Sequence, residues 1–450
     1  DKSSLPFIKN EENTNGIIYF DIGFPADILA PSDYPLLPAF TACVTECGWK
    51  NLDWAKAAEE CALHTGGIGV NLLTMEGPDT ENAKALLKKY NWIRRDWIIF
   101  RMSTLEEQAE NAMQLLLDCL TGTDFSDDRR ILDLITEAKN DFESSVIPDG
   151  HIFVSNRVLC NCSRKTAVDE IWNGLSQYYS IKKISEPPLS EIVTIFRRIF
   201  AEIKSGGAFI HATAEKSGFE KLQTLLPSFI KKANLCSPKA PREASDDDFF
   251  ALTKISGKDG IDPNSECFVT SSTVGYAAEC IAAAKYEDEA SYTEEVCAHW
   301  LSNNLLWEKI RTIGGAYGAF STTDSIEKIF TLATYRDPKP FKTLDSYVDC
   351  LKKAEKFDLD EETLEKCIVG CYSKEIQPKS PSGRGFAGFL RILWGITEED
   401  REKKINLLFS VKSSDIKKAL KNLINLPTKI NVCITNSDTN NKGKIIKLPN

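Results

Sequence analysis

Apolar positions in this chain form short runs separated by longer stretches in which they recur every three or four residues, and that order is written twice. A run at residues 17–20 is followed by helical spacing at 39–48 and 52–64, then by Gly66-Gly67-Ile68-Gly69-Val70. In the second half, residues 267–271 lead through helical spacing at 292–310 into Gly314-Gly315-Ala316-Tyr317-Gly318. The parallel continues: residues 97–101 and 329–333 read as strands, and Asp118-Cys119-Leu120 recurs as Asp349-Cys350-Leu351. Phe125-Ser126-Asp127-Asp128 and Phe357-Asp358-Leu359-Asp360 each open a long helix, where acids cap free amides and meet the helix dipole. Ser155-Asn156-Arg157 matches Ser382-Gly383-Arg384, and Ile171-Trp172-Asn173-Gly174 matches Leu393-Trp394-Gly395; strands at 208–211 and 430–434 close each copy.

Strands that come in groups between long helices, rather than in strict alternation with them, predict an α+β fold (two-layer α/β). Two homologous domains are expected, residues 15–236 and 249–450, each a largely antiparallel sheet with helices packed on one face. Residues 237–248 form the expected linker, since Pro238, Pro241 and Asp246-Asp247-Asp248 suit a polar connection. Residues 1–14 are expected to be the end of another linker.

A length of 450 residues accommodates two such domains, and 42% hydrophobic with 27% charged residues is ordinary for a globular protein. The net charge of -10 argues against a nucleic-acid partner. There is no apolar run long enough for membrane insertion and no signal-peptide pattern in the first thirty residues. A start at Asp1 rather than methionine predicts a processed or truncated end, so an upstream targeting segment stays open. The 14 cysteines are spread through helices and strands without zinc-ribbon spacing, which predicts reduced thiols acting as small apolar fillers in a reducing compartment, cytoplasm or organelle matrix.

Four histidines, His64, His151, His211 and His299, share no helical turn, and neither H-E-x-x-H nor H-x-x-E-H occurs, so no metal is expected on this chain. The glycine loops follow helices, whereas a phosphate cradle opens one, and no G-x-S-x-G elbow is present. What stands out is an asymmetry between the copies. Arg311 and Tyr317 flank Gly314, Gly315 and Ala316, while the first copy keeps Gly66-Gly67 without the arginine or the phenol. The shared fold therefore does not need them. A guanidinium fork and a phenolic donor beside glycines, where backbone approaches closely, suit carbonyl and oxyanion recognition. The same residues could instead satisfy a helix end and fill core.

Arg-x-x-Gly-Gly-Ala-Tyr-Gly at 311–318 resembles the C-terminal signature of the pitrilysin (insulin-degrading-enzyme) type zinc metallopeptidases, in the presequence-protease branch. Gly16-Ile17-Ile18-Tyr19-Phe20, Thr65-Gly66-Gly67, Ile147-Pro148-Asp149-Gly150-His151, Tyr335-Arg336-Asp337-Pro338 and Ser380-Pro381-Ser382-Gly383 extend the likeness over most of the chain. The resemblance implies the third and fourth of four homologous domains, in a peptidase that degrades unstructured peptides inside a closed chamber. It implies Arg311 and Tyr317 as catalytic contacts to substrate backbone and tetrahedral intermediate, with Gly314, Gly315 and Ala316 lining the substrate. Zinc and the general base are implied on an N-terminal half, covalent or separate, and the isolated chain is expected to be inactive. The alternative is a noncatalytic relative serving as an assembly subunit or peptide-binding module.

Overall fold

The computed structural model describes residues 5–50, 52–184, 186–426, 429–437 and 441–448. Two sheets organise it. The first holds β1 (Phe7–Glu11), β2 (Ile17–Pro25), β3 (Ile68–Leu73), β4 (Trp97–Leu105) and β5 (Phe209–Ala214) in the order β1-β5-β2-β4-β3. The second holds β6 (Ser265–Val269), β7 (Tyr276–Ala282), β8 (Gly318–Asp324), β9 (Ile329–Tyr335), β10 (Lys429–Thr435) and β11 (Lys444–Lys447) in the order β11-β6-β10-β7-β9-β8. β1 runs parallel to β5, and β6 parallel to β10 and β11; all other pairs are antiparallel. The fold is α+β in two units, and superposing the strand orders makes β1 the counterpart of β6, β2 of β7, β3 of β8, β4 of β9 and β5 of β10.

That order corrects two of the repeat correspondences. Residues 17–20 lie in β2, whose counterpart is β7, so residues 267–271 in β6 answer to β1 instead. Trp172 and Trp394 end different helices, Arg164–Asn173 and Pro381–Trp394, and only the latter is equivalent to the Gly150–Leu159 helix. The expected linker end at 1–14 contains β1, a strand of the first sheet; its residues 1–4 lie outside the described residues. The expected linker at 237–248 is extended only to Ser245, which caps a helix at Asp246–Leu252 through a reciprocal bond with Asp248. Phe249 of that helix is buried edge-on against Tyr34 in the first core. The acids at 246–248 that read as linker are a helix N-terminus.

Central strands are buried along nearly their whole length, which requires cover on both faces. On one face, Ile98, Phe100 and Met102 of β4 meet the helices of their own half. The alternate residues Trp97 and Ile99 meet Phe389 and Leu393 from the Pro381–Trp394 helix of the other half. In the second sheet, Phe330 and Leu332 of β9 face their own helices, whereas Ile329 and Ala333 face Phe153, Val154 and Val158 from the Gly150–Leu159 helix of the first half. The halves therefore exchange one helix each.

The exchanged helices carry the matched arginines. Arg157 grips Glu266 of β6 through Nε (2.6 Å) and Nη2 (2.9 Å), and its buried Nη1 reaches Glu170 and the Thr253 carbonyl. Arg384 holds Glu12, just beyond β1, through Nε (2.9 Å) and Nη2 (2.7 Å). Gly385 lets its helix sit on the sheet, because a Cβ there would lie 2.0 Å from Thr213 Oγ1.

Candidate functional site

Arg311 does not sit on one long helix. The helix Glu289–Asn303 stops at Asn304, whose φ of -125° and ψ of -91° leave helical space, and the chain restarts as a π-helical turn, Trp307–Ile313. This corrects the continuous helix expected at 292–310. The wide turn closes through Gly314 N–H to the Lys309 carbonyl, Gly315 N–H to Arg311 and Ala316 N–H to Ile310, at 3.0, 3.0 and 3.2 Å. Single π turns of this kind occur frequently at functional sites. Gly315 has φ +88°, a conformation a side chain would strain, and it turns the chain into β8.

The turn presents Arg311 and Tyr317 side by side. The guanidinium carbon lies 3.7 Å from the Trp307 ring centre and 5.7 Å from that of Tyr317. Tyr317 is 66% exposed, and among the described residues neither its phenol nor the Arg311 guanidinium has a hydrogen-bond or carboxylate partner. Neither side chain is sealed in the core, although Arg311 packs locally on Trp307. Tyr317 stands on the surface and Arg311 is half-buried beside it. Of the three residues between, Ala316 is buried with its side chain in the core, Gly314 is partly buried and Gly315 is exposed. With the amides of residues 314–316 used in the turn and Tyr317 N–H donated to the Arg336 carbonyl (3.2 Å), these residues have carbonyl oxygens, not amides, to offer a ligand.

Aromatic neighbours missed by sequence reasoning fix the pair. The Tyr317 ring meets Tyr335 edge-on at 5.7 Å, Tyr335 meets His151 at 4.8 Å, and the Arg336 guanidinium lies 5.3 Å from the Tyr335 ring centre. His151 comes from the helix donated by the first half, so both halves build this surface. Burial holds its imidazole below the usual histidine range, and its Nδ1 is enclosed without a partner. Trp307, four residues before Arg311, was a local signal; Tyr335 and His151 stand in separate motifs of the sequence and come together only through the fold.

The other histidines are dispersed. His64 meets Gln108, His299 lies beside Asn303, and His211 is sealed between Asp21 (2.7 Å), Asn10 (2.9 Å) and the face of Phe389. Among the described residues no three His, Cys, Asp or Glu side chains come together in a way that could hold a metal ion. The donor set of the described residues does not fit a zinc site.

Residues 1–184 match the family of regions associated with M16 peptidases of subfamily C, and residues 265–436 match the "PreP C-terminal domain". Presequence protease 1, chloroplastic/mitochondrial, of Arabidopsis thaliana is 26% identical over 93% of this chain and 37% of its own length. The mitochondrial presequence protease of Xenopus laevis is 23% identical over 90% of this chain and 40% of its own. The chain thus spans about two fifths of these curated relatives. The crystal structure of pitrilysin superposes on all of this chain and 46% of its own with a TM-score of 0.62 at 8% identity, a likeness of fold. Two matches in sequence order, the relatives and the shared fold together place this chain in the presequence-protease branch of the pitrilysin-type (M16) peptidases, as a C-terminal half.

Proposed function

We propose that this chain is the half of a zinc-dependent peptidase that closes over unstructured peptides, with Arg311 and Tyr317 contacting the reacting peptide bond. The observation that carries the reading is a half-buried guanidinium beside an exposed phenol, neither with a hydrogen-bond or carboxylate partner among the described residues, set together by Trp307, Tyr335 and a glycine turn. The Arg311 fork suits peptide carbonyl oxygens, and the Tyr317 O–H suits a developing oxyanion; both gain strength once water is excluded. Gly314, Gly315 and Ala316 would pass the substrate close to backbone through their carbonyl side. Metal and general base belong to the N-terminal half, and the isolated chain is inactive.

The test combines this chain with the N-terminal half of the same enzyme, measures zinc content and follows cleavage of a quenched peptide. Tyr317→Phe is expected to lower kcat by about 10²- to 10³-fold, the usual loss for one oxyanion donor, with zinc content unchanged. Undiminished turnover in that variant would remove the assigned role. Hydrolysis by the chain alone would overturn the division of labour.

A further inference from the structure

A large cleft lies apart from the Arg311 turn, none of whose residues line it. About 740 Å³ in volume, it runs between the start of β1, residues 86–92 and the exchanged Pro381–Trp394 helix. That volume is in the range of ligand pockets. Three independent features converge there.

First, β1 is the outermost strand of its sheet. Ile210 N–H donates to the Pro6 carbonyl (2.8 Å) and Glu12 N–H to the Ala214 carbonyl (3.1 Å). Alternate residues of a parallel strand bond the same neighbour, so Pro6, Ile8, Asn10 and Glu12 face β5, and the backbone groups of Phe7, Lys9 and Glu11 point to the open side. The Lys9 ammonium does not close that side, because it lies over the rings of Phe7 and Phe219. Second, the cleft wall is apolar, with Tyr90, Trp92 and Ile392 among its residues. Third, it is cationic in a chain whose net charge is -10. Arg391 and Lys89 line it without a carboxylate partner among the described residues, and the acid in its lining, Glu398, is held by Arg401 at 2.6 and 2.7 Å. A partly buried guanidinium without a close ion pair regains little of the hydration it gives up. Burial and the nearby Arg401 charge push its proton affinity down, against the Glu398 and Glu375 carboxylates, which raise it; a bound carboxylate would reverse the net direction.

The geometry points to this cleft as a second peptide-binding site, in which an extended segment carrying acidic side chains adds as a strand to the free edge of β1 and places a carboxylate on Arg391 and Lys89. Main-chain hydrogen bonds at an open edge supply sequence-independent affinity, and the cations select the side chain. The site does not depend on the role assigned to Arg311 and Tyr317, and it stands or falls separately.

The experiment uses the 450-residue chain and a fluorescein-labelled, end-blocked peptide of about eight residues alternating threonine and glutamate, a length that matches a strand. Its glutamine counterpart and a version N-methylated on alternate residues complete the set. Polarisation titrations are expected to show the acidic peptide binding about tenfold tighter than the glutamine one, the size of one charge-assisted hydrogen bond. Arg391→Gln is expected to erase that preference, and N-methylation to abolish binding, without any change to the protein. Amide exchange at Phe7 and Lys9 should slow when the acidic peptide binds. Equal binding of the acidic and glutamine peptides, indifference to Arg391→Gln, or full affinity of the N-methylated peptide would each overturn the proposal.

Discussion

The Arg311 guanidinium carbon lies over the Trp307 indole, 3.7 Å from its ring centre. A long, flexible, half-buried cation is thereby restrained before any ligand arrives. Contacts of this kind are worth about 0.5–1 kcal/mol at exposed sites. Trp307→Ala is accordingly expected to lower kcat/KM of the reconstituted peptidase by about two- to fivefold. Arg311→Lys should lose more, since an ammonium reproduces neither the stacking nor the planar fork. Equal activity of all three proteins would mean that the guanidinium takes no part in turnover.

Glu327 gives a pH-dependent prediction with a definite sign. It is 7% exposed and lies at the junction of the halves. Burial raises its carboxyl above the ordinary value of 4.5, against a lowering by the Ser163 hydroxyl and Lys165, while Asp324 and Glu76 add to the rise. The folded state therefore holds this proton more tightly than the unfolded chain, and the stability it contributes is present at low pH and lost as pH climbs from about 4.5 through the raised value. Glu327→Gln keeps an acceptor for Ser163 and removes the charge. The melting temperature of the variant relative to wild type should rise as pH climbs from about 4.5 through the raised value and then level off; a pH-independent offset would contradict the assignment.

At Gly385 the exchanged helix touches β5 so closely that an added methyl would meet Thr213. Gly385→Ala should destabilise the chain by about 1–3 kcal/mol, the usual range for overpacking. Chemical denaturation reports it as a lower midpoint with an unchanged slope, and an unchanged midpoint would mean that the helix slides at little cost.

Cys162 and Cys280 lie 3.9 Å apart, one exposed on the connection after the Gly150–Leu159 helix, the other buried in β7. The contact between the two thiols holds Cys162 below the usual thiol range, while Cys280 is itself pushed up by the same contact and by burial. Thiolate is the reactive form, so iodoacetamide at neutral pH should label Cys162 ahead of the likewise exposed Cys236. Cys280→Ala should slow that labelling, as followed by mass spectrometry. Equal rates in both proteins would show that the contact does not tune Cys162.

Residue patterns carried the fold further than they carried the local geometry of the site. Gly66-Gly67 and Gly314-Gly315 do precede equivalent strands, β3 and β8, and Arg157 and Arg384 do occupy equivalent exchanged helices. The edge strand β1 escaped notice because Phe7–Glu11 has little alternation and finds its partner, β5, some two hundred residues later. Trp172 and Trp394 misled because a tryptophan near a helix end is a packing solution that distinct helices reach independently. The break at Asn304 has no proline or glycine to announce it. Arg311 and Tyr317 stood out by their absence from the first copy, whereas Tyr335 and His151 are scattered in sequence and join them only through folding.

Because each sheet wears a helix that belongs to its twin, neither twin is a self-sufficient folding unit. A cut through the connecting segment would strip Trp97 and Phe209 on one side, and Tyr276 and Ile434 on the other, of their roofs. Fragments produced that way should clump when expressed singly and recover solubility when made together, so that the smallest heritable piece of this architecture is the duplicated pair.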